Sequence, residues 1–245
     1  MKIIQITDTH LFREDESVMH GVKTNRKFEE VISKIIQEDI IDTDFIILTG
    51  DISQDETVES YQKIVSYLSQ LDKPIYWIAG NHDNPDKIEA VFGDNRNFYH
   101  TKMLSLPHWD LIFLNTRIND RHDGLLHETE LLKLKREIHK NANKRIAIIM
   151  HHHPIPVNTP LIDNYILKNN HELWNVIEGS QVELIICGHV HGDYSLKHGN
   201  VSIETSPATC LQWEKGSSDL KIVKKIGYKI YYLNSYGYTA VSKIW

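Results

Sequence analysis

Cysteine is nearly absent. Cys187 and Cys210 are the only two in 245 residues, too few for a disulfide framework or a CxxC zinc site. Long apolar runs are missing as well. Phe45–Leu48, Ile146–Met150 and Leu184–Cys187 are the longest aliphatic stretches, far short of the ~20 residues a membrane helix requires. Basic residues are not in excess: 27 Lys and Arg against 33 Asp and Glu leave a net charge of −6, which argues against a broad face for a nucleic-acid backbone. No linker, internal repeat or low-complexity segment divides the chain, so residues 1–245 are expected to form a single domain. The opening MKIIQITDTH reaches Asp8 too soon for a signal-peptide core, and a cytoplasmic location is the expectation.

Histidine is what the chain has in plenty, with 15 residues, and its placement is informative. Short isoleucine-rich runs end in polar residues. Ile3–Thr7 ends at Asp8. Phe45–Thr49 ends at Gly50-Asp51. Ile75–Ala79 ends at Gly80-Asn81-His82-Asp83. Ile146–Met150 ends at His151-His152-His153-Pro154. Leu184–Cys187 ends at Gly188-His189-Val190-His191. Such runs suit strands buried on both faces.

Between them lie helical stripes: Phe28, Val31, Ile32, Ile35 and Ile36; Val58, Tyr61, Val65 and Leu68; Leu131, Leu134 and Ile138. Alternating strand and helix predicts βαβ units and a largely parallel sheet. Phe98–Met103 and Leu111–Asn115 read as an antiparallel pair, and Tyr194–Trp245 as strands and turns. The expected fold class is α/β: two packed mixed sheets flanked by helices, with the active site at the carboxyl ends of the strands.

An Asp, Asn or His after one strand is ordinarily a turn former or a helix cap. Five strand ends that all carry metal-competent groups are a different matter. Asp8, Asp51 and Asn81 offer oxygen; His10, His151, His189 and His191 offer nitrogen. That mixture suits iron, manganese, zinc or cobalt rather than calcium. Seven side chains exceed one tetrahedral site, and a bridging carboxylate would let them serve two ions, the usual device for in-line displacement at phosphorus.

The series Asp8-x-His10, Gly50-Asp51, Gly80-Asn81-His82-Asp83, His151 and Gly188-His189-Val190-His191 resembles the calcineurin-like metallophosphoesterase family in order and spacing. Within that family the chain looks most like the bacterial class III 3′,5′-cyclic nucleotide (cyclic AMP) phosphodiesterases. The closer signs are QITDTHLF, GDISQD, the triple histidine, and Pro207-Ala208-Thr209-Cys210-x-Gln212.

The resemblance implies two transition-metal ions, iron and/or manganese first, zinc or cobalt second. One would be held by Asp8, His10, Asp51 and His191, the other by Asp51, Asn81, His151 and His189, with His152 the competing choice for His151. It implies hydrolysis of 3′,5′-cyclic AMP to 5′-AMP by a metal-bridging hydroxide. His82 and Asp51 would be catalytic, and His10, Asp51, Asn81, His82 and His191 would touch substrate. The alternative is a broader phosphodiesterase for glycerophosphodiesters or 2′,3′-cyclic nucleotides.

The implied partner is a small phosphodiester, a cyclic nucleotide, with neither a nucleic-acid polymer nor a membrane, and the protein a monomer or homodimer. Asp83 would orient His82 or cap the helix starting near Pro85. Asn158–Ile162 and Thr209–Trp213 would form the mouth of the site, with His153 lining it. Trp213 either stacks on a base or packs.

Overall fold

A computed structural model describes residues 1–140 and 143–245. Among these residues the strands are β1 (Lys2–Ile6), β2 (Phe45–Thr49), β3 (Ile75–Ile78), β4 (Phe98–Tyr99), β5 (Met103–Ser105), β6 (Trp109–Phe113), β7 (Arg145–Met150), β8 (Val182–Cys187), β9 (Ser195–His198), β10 (Val201–Thr205), β11 (Gln212–Trp213), β12 (Ile222–Val223), β13 (Gly227–Asn234) and β14 (Gly237–Ile244). The helices are α1 (Thr24–Glu38), α2 (Val58–Leu68), α3 (Pro85–Phe92), α4 (Glu128–Lys140), α5 (Pro160–Asp163) and α6 (Asn170–Ile177).

Two mixed six-stranded sheets result. One runs β14-β13-β1-β2-β3-β4 and the other β5-β6-β7-β8-β10-β9; β11 and β12 form a separate hairpin. In the first sheet β1, β2, β3 and β4 are parallel, and the β13–β14 hairpin joins β1 antiparallel. In the second, β6, β7, β8 and β10 are parallel, with β5 and β9 antiparallel at the edges.

The period of two along each strand builds the layers. Ile46 and Leu48 of β2 face a cluster with Phe28, Val31 and Ile35 of α1 and Tyr61 and Ile64 of α2. Phe45 and Ile47, on the opposite side, join Ile3, Ala147, Ile149, Leu184 and Ile186, a core shared by both sheets. Ile146, Ile148 and Met150 of β7 turn outward to Leu134 and Ile138 of α4 and Leu173 and Ile177 of α6. Helices, sheet, sheet and helices therefore stack in four layers, each fully buried side chain contributing about 1.5–3 kcal/mol.

Three details depart from the sequence reading. Phe98–Met103 does not pair as one piece with Leu111–Asn115. Its start, β4, joins β3 in the first sheet, while β5 pairs with β6 in the second. Alternation marks a strand but does not say which sheet receives it. Ile36 and Val58, placed on buried stripes, are each 41% exposed. The α2 stripe is Tyr61, Ile64 and Leu68, with Val65 at its margin.

Candidate metal centre

The loops after β1, β2, β3, β7 and β8 meet in one place and are laced together through their backbones. Asp8 N donates to Gly50 O, His10 N to Asp51 O and Leu11 N to Ile52 O, each at 3.0 Å. The Asp8 carboxylate accepts from His189 N at 3.0 and 3.1 Å, and Asp51 Oδ1 accepts from His82 N at 2.8 Å.

Five of the seven candidate ligands hold a left-handed backbone: Asp8 (φ 52°), His10 (45°), Asp51 (50°), His189 (68°) and His191 (46°). Each such residue costs on the order of 1–3 kcal/mol, a strain that collects at functional sites. Glycine makes room where the loops cross. Gly50 has φ 92°, and a Cβ there would come within 2.6 Å of Gly80 N and His151 Nδ1. A Cβ on Gly80 would collide with the Asp51 carboxylate.

Second partners fix which nitrogen of each ring faces inward. His10 Nδ1 donates to Gln54 Oε1 (2.7 Å), His151 Nδ1 to Thr49 O (2.8 Å) and His191 Nδ1 to Leu211 O (3.1 Å). All three Nε2 lone pairs are thereby turned into the pocket. His10 Nε2 and His191 Nε2 confront each other at 3.0 Å, with Asp8 Oδ1 3.5 Å from the latter. His151 Nε2 confronts Asn81 Oδ1 at 3.1 Å. His189 Nε2 is buried without a hydrogen-bond partner among the described residues.

Asp51 Oδ2 lies between the two groups, 3.7 Å from His10 Nε2 and 3.4 Å from His151 Nε2. Acceptor faces acceptor where His10 meets His191, and His151 Nε2 meets Asn81 Oδ1 only by holding a proton, both beside one carboxylate. Buried groups in that arrangement cost about 1–3 kcal/mol each unless positive charge enters. The residues fit a metal: ligand atoms of Asp8, Asp51 and His151 all lie within 4.8 Å of one another.

The titration of these groups carries the same message. Burial, with His82 and His151 adding repulsion, lowers His10 to about 4. Burial also drives His189 and His191 well below the usual imidazole value. Burial raises Asp8 to about 7, with Asp51 contributing and His151 opposing. Burial would likewise raise Asp51, but the surrounding His151, His82 and His10 hold it well below the carboxylate range. For His151 burial is outweighed by the charges of Asp51 and Asp8 and by the Thr49 carbonyl, and the group sits at about 9. The field of the pocket therefore calls a positive charge to His151 Nε2.

All seven expected ligands converge, and the other expectations sort themselves by contact. Both nitrogens of His152 already have partners, Thr116 Oγ1 at 2.8 Å and His122 O at 3.1 Å. His153 does not line the mouth: it is fully buried, stacked near His189 with its Nε2 3.4 Å from Asp163 Oδ1. Asp83 neither caps the helix nor touches the His82 ring. It is buried and accepts from Gly80 N, Ile52 N and Ser53 N at 2.8–3.2 Å, which rivets the β2 and β3 loops together; Asn84 is the cap of α3. Cys187 is a buried strand residue, as its apolar neighbours implied.

A cavity of about 310 Å³ opens above this floor. His10, Asp51, Asn81, His82, His189 and His191 reach it, and the His82 ring stands edge-on to His10 with centroids 5.1 Å apart. Leu161, Ile162 and Trp213 also line it, from the two segments expected to form the mouth. Trp213 packs against His191 (5.0 Å, 28°) and His20 (5.6 Å, 76°).

His20, His122, Tyr165 and Leu220 also line the cavity, and none of them belongs to a motif. His122 Nδ1 lies 3.3 Å from Asn81 Nδ2 and its ring 5.2 Å from that of His82. Only the fold brings it there.

Comparison with known proteins accords with this geometry. The sequence profile described as calcineurin-like phosphoesterase matches residues 1–193. The chain is 32% identical to the 3′,5′-cyclic adenosine monophosphate phosphodiesterase CpdA of Vibrio vulnificus, over 91% of this chain and 81% of that protein. It is 35% identical to a probable cyclic nucleotide phosphodiesterase of Coxiella burnetii, over 95% of this chain and 93% of the relative. Among solved structures, a dimetal phosphatase from Danio rerio superposes with a TM-score of 0.70 at 12% identity, covering 98% of each chain, and shares the fold.

Proposed function

The chain belongs to the calcineurin-like phosphoesterase family, and on that premise we propose that it is a dinuclear metal-dependent phosphodiesterase hydrolysing 3′,5′-cyclic AMP to 5′-AMP. The observation that carries the reading is two sets of inward-turned ligand atoms, those of His10 with His191 and of His151 with Asn81, arranged about Asp51. In this reading Asp8, His10, Asp51 and His191 hold one cation, and Asp51, Asn81, His151 and His189 hold the other.

The occupied hydrogen bonds of His152 favour His151 as the ligand. Nitrogen and oxygen donors suit iron, manganese, zinc or cobalt, and the family resemblance puts iron or manganese first. When bound, the metals supply the positive charge that activates water and neutralises charge building up on the phosphate.

The chain's own residues do the rest. Thr49 O, Gln54 Oε1 and Leu211 O fix the three imidazoles in the tautomer that points Nε2 inward. His82 stands at the cavity wall with its backbone tied to Asp51. We assign it to hydrogen-bond the phosphate and to give a proton to O3′ as the P–O3′ bond breaks and a water oxygen bonds phosphorus. The relatives' activity supports the substrate class, and a cavity lined by His10, Asp51, Asn81 and His82 together with Leu161, Ile162 and Trp213 suits a phosphodiester with a less polar half.

The same reading treats residues 1–245 as one domain, because one apolar core is shared by the two sheets. It places the enzyme in the cytoplasm, in keeping with two free cysteines, as a monomer or homodimer. Among the described residues no helix is long and apolar enough to cross a membrane.

The test is turnover of 3′,5′-cyclic AMP against bis(p-nitrophenyl) phosphate and glycerophosphocholine, with manganese or iron added. Preference for cyclic AMP is expected. Turnover of the other esters without cyclic AMP would replace the reading with a broader phosphodiesterase.

A further inference from the structure

The cavity has a second half whose residues belong to no motif. Tyr165 follows α5, and Leu220 lies on the loop between β11 and β12. Both are large apolar side chains left substantially open, Tyr165 at 39% and Leu220 at 54%. Both line the cavity that holds the ligand floor.

Their loops are fastened to each other. Leu161 N donates to Ser217 O at 3.2 Å. Gly216 N donates to Thr159 Oγ1 at 2.9 Å, and that hydroxyl also meets Tyr194 OH at 2.7 Å. The β11–β12 hairpin is anchored from behind by Met19, Val22, Cys210 and Leu211, with Trp213 and Ile222 packed on them. Exposed apolar groups on a braced rim, facing a polar floor, are a surface built for a ligand with an apolar half.

A chain of ring contacts sets the reach. The His82 ring lies 5.2 Å from His122, and His122 lies 5.9 Å from Tyr165. Tyr165 therefore stands two ring contacts out from the group assigned to the phosphate. A molecule whose phosphate sits beside His82 and that extends along these rings would bring its far end towards Tyr165. Trp213 is a poor candidate for the same task, because one of its faces is already stacked on His191.

We propose that Tyr165 and Leu220 form a pair of jaws that grip a planar nucleobase, so that the rim selects nucleotide esters from other phosphodiesters. This rests on the phosphodiesterase reading for the floor but concerns different residues. Tyr165 supplies an aromatic face for stacking, and Leu220 an aliphatic cover. Stacking accepts any base, so the jaws favour nucleotides as a class over glycerophosphodiesters without choosing strongly among bases.

The test separates the jaws from the reaction. Equilibrium dialysis of adenosine, which has base and sugar but no phosphate, reads the rim alone. Wild-type protein is expected to bind adenosine, Tyr165→Ala to weaken binding at least about five-fold, and Tyr165→Phe to retain it. In parallel, the ratio of kcat/KM for cyclic AMP to that for glycerophosphocholine should fall in Tyr165→Ala, chiefly through KM. Adenosine binding that Tyr165→Ala leaves unchanged, or no adenosine binding by wild-type protein, overturns the proposal even if cyclic AMP is hydrolysed. Tyr165-dependent adenosine binding without cyclic AMP turnover upholds the jaws and removes the assigned reaction.

Discussion

On the floor of the cavity, Asp8, His10, Asp51, His189 and His191 are buried, laced through backbone hydrogen bonds and held at positive φ. On its rim, Tyr165 and Leu220 stand partly in solvent on loops tied by a few hydrogen bonds. The floor stores backbone strain and unpaired acceptors, and a bound positive charge would satisfy the acceptors. Tyr165 and Leu220 carry no left-handed backbone and offer apolar surface. One cavity thus divides its labour: the floor fixes what reaction is possible, and the rim biases which molecule undergoes it. Changes to the floor should act on metal content and kcat, and changes to the rim on KM.

The strongest way to break that contrast is Asp51→Ala, which removes the carboxylate lying between both acceptor groups. We expect loss of most bound metal by elemental analysis and a fall in kcat/KM beyond about 10⁴-fold, above what a single general acid supplies. Full metal content in this variant would refute the shared carboxylate.

His82→Ala comes next, with kcat lowered about 10²–10⁴-fold and metal content intact. A loss of metal instead would make His82 part of the floor's binding set. His82 carries no strained backbone and reaches the cavity edge, so its removal leaves the loop crossings in place.

Acidity should act on the floor with a definite sign. Metal must displace the proton drawn to His151, whose pKa is about 9, and below about 7 a second from Asp8. Apparent affinity of the site built on His151 should rise about tenfold per pH unit up to about 9, and that of the site built on Asp8 about tenfold per unit up to about 7, each levelling off above. Metal titration at fixed ionic strength measures this, and an affinity that falls with rising pH contradicts the assignment.

The smallest effect belongs to the rim. Thr159→Val removes the acceptor for Gly216 N and the partner of Tyr194 OH. Losing such a bond costs about 0.5–1.5 kcal/mol. KM for cyclic AMP should rise by a few-fold while kcat moves less; the reverse pattern would mean that the rim reaches the chemistry.

The same contrast decides which parts of the site are legible in the sequence. Strands buried on both faces announce themselves as isoleucine runs, and the ligands follow those runs at once. Asp8 and His10 after β1, or His189 and His191 after β8, are legible because strand end and site coincide.

Asp83 was misjudged because spacing places it beside His82, whereas its partners Ile52 N and Ser53 N come from the neighbouring loop. His122 and Tyr165 reach the cavity from long connections without period or motif, so nothing local marks them. The split of Phe98–Met103 between two sheets depends on which strand offers a free edge, a tertiary fact.

The central claim is that two cations share Asp51. Anomalous X-ray diffraction from crystals grown with manganese tests it most directly. The account predicts two peaks, one flanked by Asp8, His10 and His191 and the other by Asn81, His151 and His189, with Asp51 touching both. A single peak, or a pair that leaves Asp51 untouched, would contradict it.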